Sequence, residues 1–191
     1  KLAAYFGERA KGGVGLIITG GIGTSETGVL GPGMCKLTNE DEAAKHRVIT
    51  KAVHEAGGRI CMQTLHAGRQ SYHPLNVSPS GKPSPIYPFP PQKMTVEMIE
   101  GELESWVNTA ALAQYAGYDG IEIMGSEGYL INQFLTTRGN EREMMSVGEM
   151  DDLRLCVGEW MRDQVLQRNR PTNKELSEAA SHLPTAQMIQ K

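Results

Sequence analysis

Gly120-Ile121-Glu122-Ile123-Met124, followed at once by Gly125-Ser126-Glu127-Gly128-Tyr129, is the stretch that decides the fold. The first five residues are apolar-rich, follow a turn at Gly117 and run into a polar turn flanked by glycines, which is the form of a buried parallel strand. Working back along the chain, Arg59 to Leu65 and Val14 to Thr19 have the same form. Helical patterns sit between these runs. From Asp41 to Ala56 the residues Val48, Ile49, Ala52, Val53 and Ala56 share one face, acidic residues fill the first turn, and Gly57-Gly58 supplies the stop. After Thr95 the stripe is Ile99, Leu103, Trp106, Val107 and Ala110, with Gly117 as the stop.

Strand alternating with helix predicts an α/β fold in which the three strands are parallel neighbours in chain order, joined by right-handed crossovers. In such sheets ligands gather beyond the carboxyl ends of the strands. Those ends carry Gly20-Gly21, then Gln63 with His66-Ala67-Gly68-Arg69, then the 125–129 turn.

Composition excludes several classes. The chain has 191 residues, 39% hydrophobic and 21% charged, enough for one domain with a core. A net charge of -3 with scattered Lys and Arg gives no footprint for nucleic acid. No apolar run reaches the roughly 20 residues of a membrane span, and Lys1 to Arg9 shows no signal-peptide cleavage pattern, so a soluble, cytoplasmic protein is expected. Cys35, Cys61 and Cys156 are too far apart for a CxxC motif, and Cys61 reads as a small apolar strand residue.

Seven of the ten prolines fall between Pro74 and Pro91, which excludes helix and central strand there and favours an extended loop. A solvated linker has the same composition, but Tyr72, Tyr87 and Phe89 favour a loop packed over the protein, on the same side as Tyr129. Beyond Glu143 the pattern changes. Leu153, Val157, Trp160, Met161 and Val165 place a helix over Asp151 to Arg168, and Thr172-Asn173-Lys174-Glu175 has the spacing of a capping box.

Taken together, Gln63-Thr64-Leu65-His66-Ala67-Gly68-Arg69 and the run from Met124 through Tyr129 and Asn132-Gln133-Phe134-Leu135 to Arg138 resemble the NADH:flavin oxidoreductase family, the Old Yellow Enzyme superfamily. Within it they look most like the FMN domain of the 2,4-dienoyl-CoA reductase branch. The resemblance spans residues 1–142. It implies a (β/α)8 barrel holding FMN at its carboxyl face, with FAD and a 4Fe-4S cluster confined to larger members. By position the three strands look like the second to fourth of that barrel. The resemblance also implies that Gly21 lies against the flavin, that Gln63 hydrogen-bonds its ring, that Tyr129 donates a proton and that Arg138 faces an acyl-CoA substrate.

The chemistry suits these residue types. Reducing an activated alkene takes hydride at the β carbon and a proton at the α carbon, and a flavin supplies only the first. A tyrosine with an ordinary pKa near 10 is protonated at neutral pH and can supply the second. The Gln63 amide offers both donors and an acceptor to a ring edge, and glycine at 21 allows close backbone approach. Each residue also has a plainer reading. Without the motif Tyr129 reads as a half-buried packing residue, Gln63 as a satisfied strand amide, Glu127 as a solvated carboxylate and Arg138 as a surface cation; the motif favours the roles above. His66 with His73 has too few companions for a metal site and suits an orienting hydrogen bond.

A full barrel takes about 250 residues. The expected architecture is therefore a partial barrel over 1–142, with a helical tail over 143–191 that lacks the family's pattern. The expected function is that of a fragment of a flavin-dependent reductase of activated C=C bonds. Its partners would be NAD(P)H and an enoyl-CoA or similar alkene, and the fragment alone would bind FMN poorly. The competing function is a non-catalytic module that self-associates through exposed barrel edges. A barrel aldolase or isomerase is disfavoured because no Schiff-base lysine or Gly-rich phosphate loop stands at a strand end.

Overall fold

The computed structural model describes residues 1–142. The predicted helix at 151–168 and the capping box at 172–175 lie outside the described residues. The elements in order are α1 (Leu2–Lys11), β1 (Leu16–Ile18), β2 (Ile22–Gly23), α2 (Glu40–Glu55), β3 (Arg59–Leu65), β4 (Val77–Ser78), β5 (Gln92–Lys93), α3 (Val96–Tyr115), β6 (Gly120–Ile123) and α4 (Leu130–Leu135).

The three predicted strands are parallel neighbours, with β3 in the middle. Ile18 pairs with Cys61 on one edge of β3, and Gln63 pairs with Glu122 on the other. The first strand is shorter than its apolar run suggested and continues along the same edge as β2, with Ile22 opposite Thr64. From 18 to 22 the chain takes four steps while β3 takes three, so one extra residue is bulged out at 19–21. Thr19 bridges the gap. Its N–H donates to the Cys61 carbonyl at 3.1 Å, and its hydroxyl accepts from the Gln63 N–H at 3.0 Å. The buried ladder thus keeps its partners where the strand breaks.

Both long helices start where the capping residues dictate. The Asn39 side chain accepts from the Glu42 N–H at 3.0 Å, and the Thr95 hydroxyl accepts from the Met98 N–H at 3.2 Å. They stop at Gly57 and Gly117, whose φ values of 81° and 86° suit glycine. α2 and α3 cover one face of the sheet, burying Ile17, Ile60 and Met62 among Val53, Ala113 and Tyr118. Period-two alternation turns Leu16 and Ile18 to the other face, where they are 56% and 47% exposed among the described residues. α1, which the sequence did not signal, packs along α2, and Gly7 lies close enough that a Cβ would stand 3.3 Å from the Ala52 carbonyl.

The proline-rich segment is an extended loop with one short pairing inside it. β4 and β5 run parallel for two residues each, and the buried Asn76 donates its side-chain amide to the Phe89 carbonyl at 3.1 Å. Tyr72 meets Tyr87 edge to face at 4.8 Å. The loop therefore packs on the protein, as its aromatic residues suggested.

At the opposite end of the strands Asp119 ties β6 to β3. Its carboxylate accepts from the Ile60 N–H at 2.8 Å, from His54 Nε2 at 2.8 Å and from Arg59 Nη1 at 3.0 Å. Burial works to raise this carboxyl, but those bonds outweigh it and hold the group below the usual carboxylate range. A depressed folded pKa stabilises the fold above the unfolded value of about 4, and the contribution is lost as pH falls through the folded value. Asp119→Asn should cost about 1 kcal/mol at neutral pH, after allowing for solvent screening of the exposed Arg59 partner. Below about pH 4 the difference from the parent should shrink, as denaturant unfolding at pH 7 and pH 3 will read.

Candidate functional site

The candidate site is built on the carboxyl ends of β3 and β6. Beyond β3 the chain turns sharply at Gly68, φ 59°, and beyond β6 it turns through Glu127, φ 60°, and Gly128, φ 77°. Glu127 is a non-glycine residue in the left-handed region, a conformation of the kind that surrounding structure must enforce. The enforcement is visible. Gln70 Nε2 donates to the Glu127 carbonyl at 3.0 Å, and Gln133 Nε2 donates to the Gly128 carbonyl at 2.7 Å. Gln133, only 2% exposed, also reaches the first turn: its Oε1 accepts from the Arg69 N–H at 3.2 Å and its Nε2 lies 3.3 Å from the Ala67 carbonyl. Both turns are thereby fastened to each other and to α4.

Beneath them lies a buried polar cluster. His66 Nδ1 accepts from the Gly68 N–H at 3.1 Å, which leaves Nε2 to carry the proton toward Glu102 Oε1 at 3.4 Å. The Thr27 hydroxyl donates to the same carboxylate oxygen. Burial pushes the Glu102 carboxyl up, but the bonds from His66, Thr27 and Ser25 outweigh it, and the group is held below the usual range. His66 therefore orients a turn, as its surroundings in the sequence suggested. Among the described residues no group of three His, Cys, Asp or Glu side chains is arranged for a metal.

Tyr129 caps the start of α4 and is half-buried. Burial pushes its phenol pKa up, and Tyr87 of the proline-rich loop and Glu127 add to the shift. The hydroxyl is accordingly protonated at neutral pH, and the loop lies on the Tyr129 side as predicted. Gln63 sits one pair before the end of the β3–β6 ladder, its Nε2 donating to Glu122 Oε2 at 2.8 Å. Gly21 is the last residue of the bulged stretch. A Cβ there would come within 2.8 Å of Cδ2 of the buried Leu65, so packing against β3 by itself favours glycine at this position. Arg138 is exposed beyond α4, and its carbonyl accepts from Lys82 Nζ of the loop at 3.2 Å.

The structure thus places Gly21 and Gln63 on neighbouring strand ends and Tyr129 with Arg138 on the next connection. Sequence reasoning missed Glu122, Gln70, Gln133 and Glu102. Strand alternation carried a signal for Glu122, since a carboxylate at that position shares the open face with Gln63. The glutamines gave none.

A cavity of about 640 Å³ lies on the helix side, between α3 and the β6–α4 connection, lined by Leu103, Trp106, Ile123, Ile131 and Phe134. Its lining is mostly apolar but also includes Glu102, Glu122, Ser126 and Glu127, and Glu122 is the residue that Gln63 bonds. The open face suits a flat heteroaromatic ring better. Gly20 has no heavy atom within 4 Å of where a Cβ would be, leaving backbone accessible, and the Gln63 amide supplies neutral polar atoms beside it. Those residues fit the ring of a flavin, the only part of FMN their chemistry addresses.

Residues 1–151 match the model of the NADH:flavin oxidoreductase / NADH oxidase family. A metal reductase of Desulforamulus reducens is 37% identical over 150 residues, covering 74% of this chain and 22% of that protein. An NADH oxidase of Thermoanaerobacter brockii is 36% identical over 150 residues, covering 74% and 23%. The structure of morphinone reductase in complex with tetrahydroNAD superposes with a TM-score of 0.79 at 26% identity, covering 86% of this chain and 51% of that one. The chain therefore spans under a quarter of the length of these two relatives and about half of that solved structure.

Proposed function

The chain belongs to the NADH:flavin oxidoreductase / NADH oxidase family, and we propose that it carries the proton-donating and ring-binding part of a site that reduces activated C=C bonds. The observation that supports this most is that Gln63 and Tyr129 stand at or just beyond the carboxyl ends of adjacent parallel strands, with the Tyr129 phenol kept protonated by burial and by its Tyr87 and Glu127 neighbours. FMN, when bound, supplies the hydride for the β carbon. Gln63, Gly21 and the backbone at Gly20 orient the ring, and Glu122 fixes the Gln63 amide by accepting a hydrogen bond from its Nε2. Tyr129 gives its hydroxyl proton to the α carbon. The proline-rich loop, through Tyr72 and Tyr87, shields that carbon from water, and Arg138 faces the anionic end of an acyl substrate such as an enoyl-CoA.

The test uses the full chain mixed with FMN. Because these residues address only the ring of FMN, the expected result is weak, saturable binding in a titration rather than retention on gel filtration, with the flavin absorbance bleaching on NADH or NADPH and returning on adding an α,β-unsaturated carbonyl compound. Gln63→Leu should weaken flavin binding by about tenfold, the worth of one or two ring hydrogen bonds. A colourless chain that takes up no added FMN would overturn the reading. It would favour instead an interaction module, for which the exposed Leu16 and Ile18 face supplies an apolar surface.

A further inference from the structure

We infer that Gln133, assisted by Gln70, is a positioning residue that holds the strained turn before Tyr129 and so sets where the phenol stands. The inference rests on the reductase reading for its purpose and on geometry for its substance. Three peptide units in a row precede or contain the phenol's own backbone, and each is held. Gln70 Nε2 donates to the Glu127 carbonyl at 3.0 Å, Gln133 Nε2 donates to the Gly128 carbonyl at 2.7 Å, and the Gln133 backbone N–H donates to the Tyr129 carbonyl at 2.8 Å.

The turn needs this support. Glu127 at φ 60° has a Cβ crowding its own carbonyl, a cost of about 1–2 kcal/mol that an unrestrained loop would relieve by flipping the peptide. Flipping would swing the Glu127 or Gly128 carbonyl away from its amide donor and rotate Tyr129 with it. Gln133 is 2% exposed, so a lost bond leaves buried polar atoms without partners, and that penalty opposes the flip. The same side chain accepts from the Arg69 N–H at 3.2 Å, which ties the phenol's turn to the turn that follows β3 and Gln63. One buried amide therefore keeps both halves of the proposed site in register.

A buried amide is suited to this task because it must donate and accept at once. Methionine has the same length and does neither. Glutamate retains the acceptor for Arg69 but meets the Gly128 carbonyl with a second acceptor until it takes up a proton.

The experiment uses the full chain with the tyrosine ring ζ carbon labelled by 13C, and follows the Tyr129 signal by NMR. In Gln133→Met and in Gln70→Met the signal should move, and its titration midpoint should fall toward the ordinary value of about 10. The buried Tyr118, bonded to His46 at 2.8 Å, should not change. In Gln133→Glu the Tyr129 signal should be displaced at pH 8 and return toward the parent position as pH falls and the introduced carboxyl gains its proton, a recovery that a merely space-filling role would not give. Gln70 makes a single exposed bond, so Gln70→Met stays folded even if Gln133→Met does not. An unmoved Tyr129 signal in folded variants overturns the inference, as does a displaced signal in Gln133→Glu that ignores pH. Because the NMR readout needs neither flavin nor turnover, a displaced signal in a chain that takes up no FMN upholds the positioning and overturns only the reductase reading. With FMN bound, Gln133→Met should lower kcat for alkene reduction by about ten- to a hundredfold, with KM little changed.

Discussion

In an intact barrel carrying this motif, Tyr129→Phe should slow alkene reduction by a factor of about 10² to 10⁴, the usual contribution of a positioned general acid, while leaving flavin binding and flavin reduction by the nicotinamide nearly untouched. The split follows from where the hydroxyl is used. Hydride delivery to the flavin requires no proton from this face, whereas the α carbon becomes a strong base as hydride arrives at the β carbon and must be protonated then. Burial, Tyr87 and Glu127 all push the phenol pKa up, so the group is fully protonated across the neutral range and the activity should show no loss from its ionisation below about pH 10. The introduced phenylalanine keeps the ring and removes only the hydroxyl, which separates proton donation from shape. Stopped-flow measurement of the two half-reactions, with flavin absorbance as the signal, reads both effects. Equal slowing of both half-reactions would mean that the substitution disturbs the fold, and unchanged alkene turnover would mean that water or another group protonates the product.

What could be read from the sequence was what short-range rules govern. The stripes of α2 and α3, their stops at Gly57 and Gly117, and the strand order around β3 all follow from periodicity and turn chemistry within a few residues. α1 escaped because nothing local marks it: Lys1 offers no side-chain cap, and the helix is held by close packing of Gly7 on Ala52. α4 escaped because six residues are too few to show a period, and its cap residue Tyr129 makes no side-chain cap bond. The bulge at 19–21 escaped because an apolar run reads the same whether or not one residue is extra.

The site divides along the same line. Gly21, Gln63, Tyr129 and Arg138 came from motifs, and motifs name residues without saying what holds them. The holding bonds join residues far apart in sequence. Gln133 reaches Ala67 across 66 positions, and Thr27 reaches Glu102 across 75. No window of sequence contains both ends. The register partner of Gln63 was closer to legible, because once β3 and β6 are taken as neighbours some residue of β6 must face Gln63, and alternation leaves Glu122 as the polar one.

Gly68→Ala is the substitution that should expose this long-range dependence most clearly in stability. The added Cβ meets two penalties. At φ 59° an L-residue is strained by about 1–2 kcal/mol. It would also stand 2.6 Å from Gln133 Nε2 and 2.8 Å from Cδ, with Oε1 in contact as well. The tip of a glutamine can ordinarily swing aside at little cost, but this one is 2% exposed and its donor and acceptor are both in use. Moving it strands buried partners, which adds about 1–3 kcal/mol. The total of about 3 kcal/mol corresponds to a fall of roughly 6–12 °C in Tm for a chain of this size. Gly33→Ala is the control, since Gly33 shares a positive φ of 75° but has no heavy atom within 4 Å of the Cβ position, so it should lose only the backbone part. Denaturant unfolding of both variants separates the terms. Equal losses would mean that Gln133 yields freely and that the two turns are not fastened through it, whereas a larger loss at Gly68 accompanied by a displaced Tyr129 signal would trace the extra cost to the glutamine that joins them.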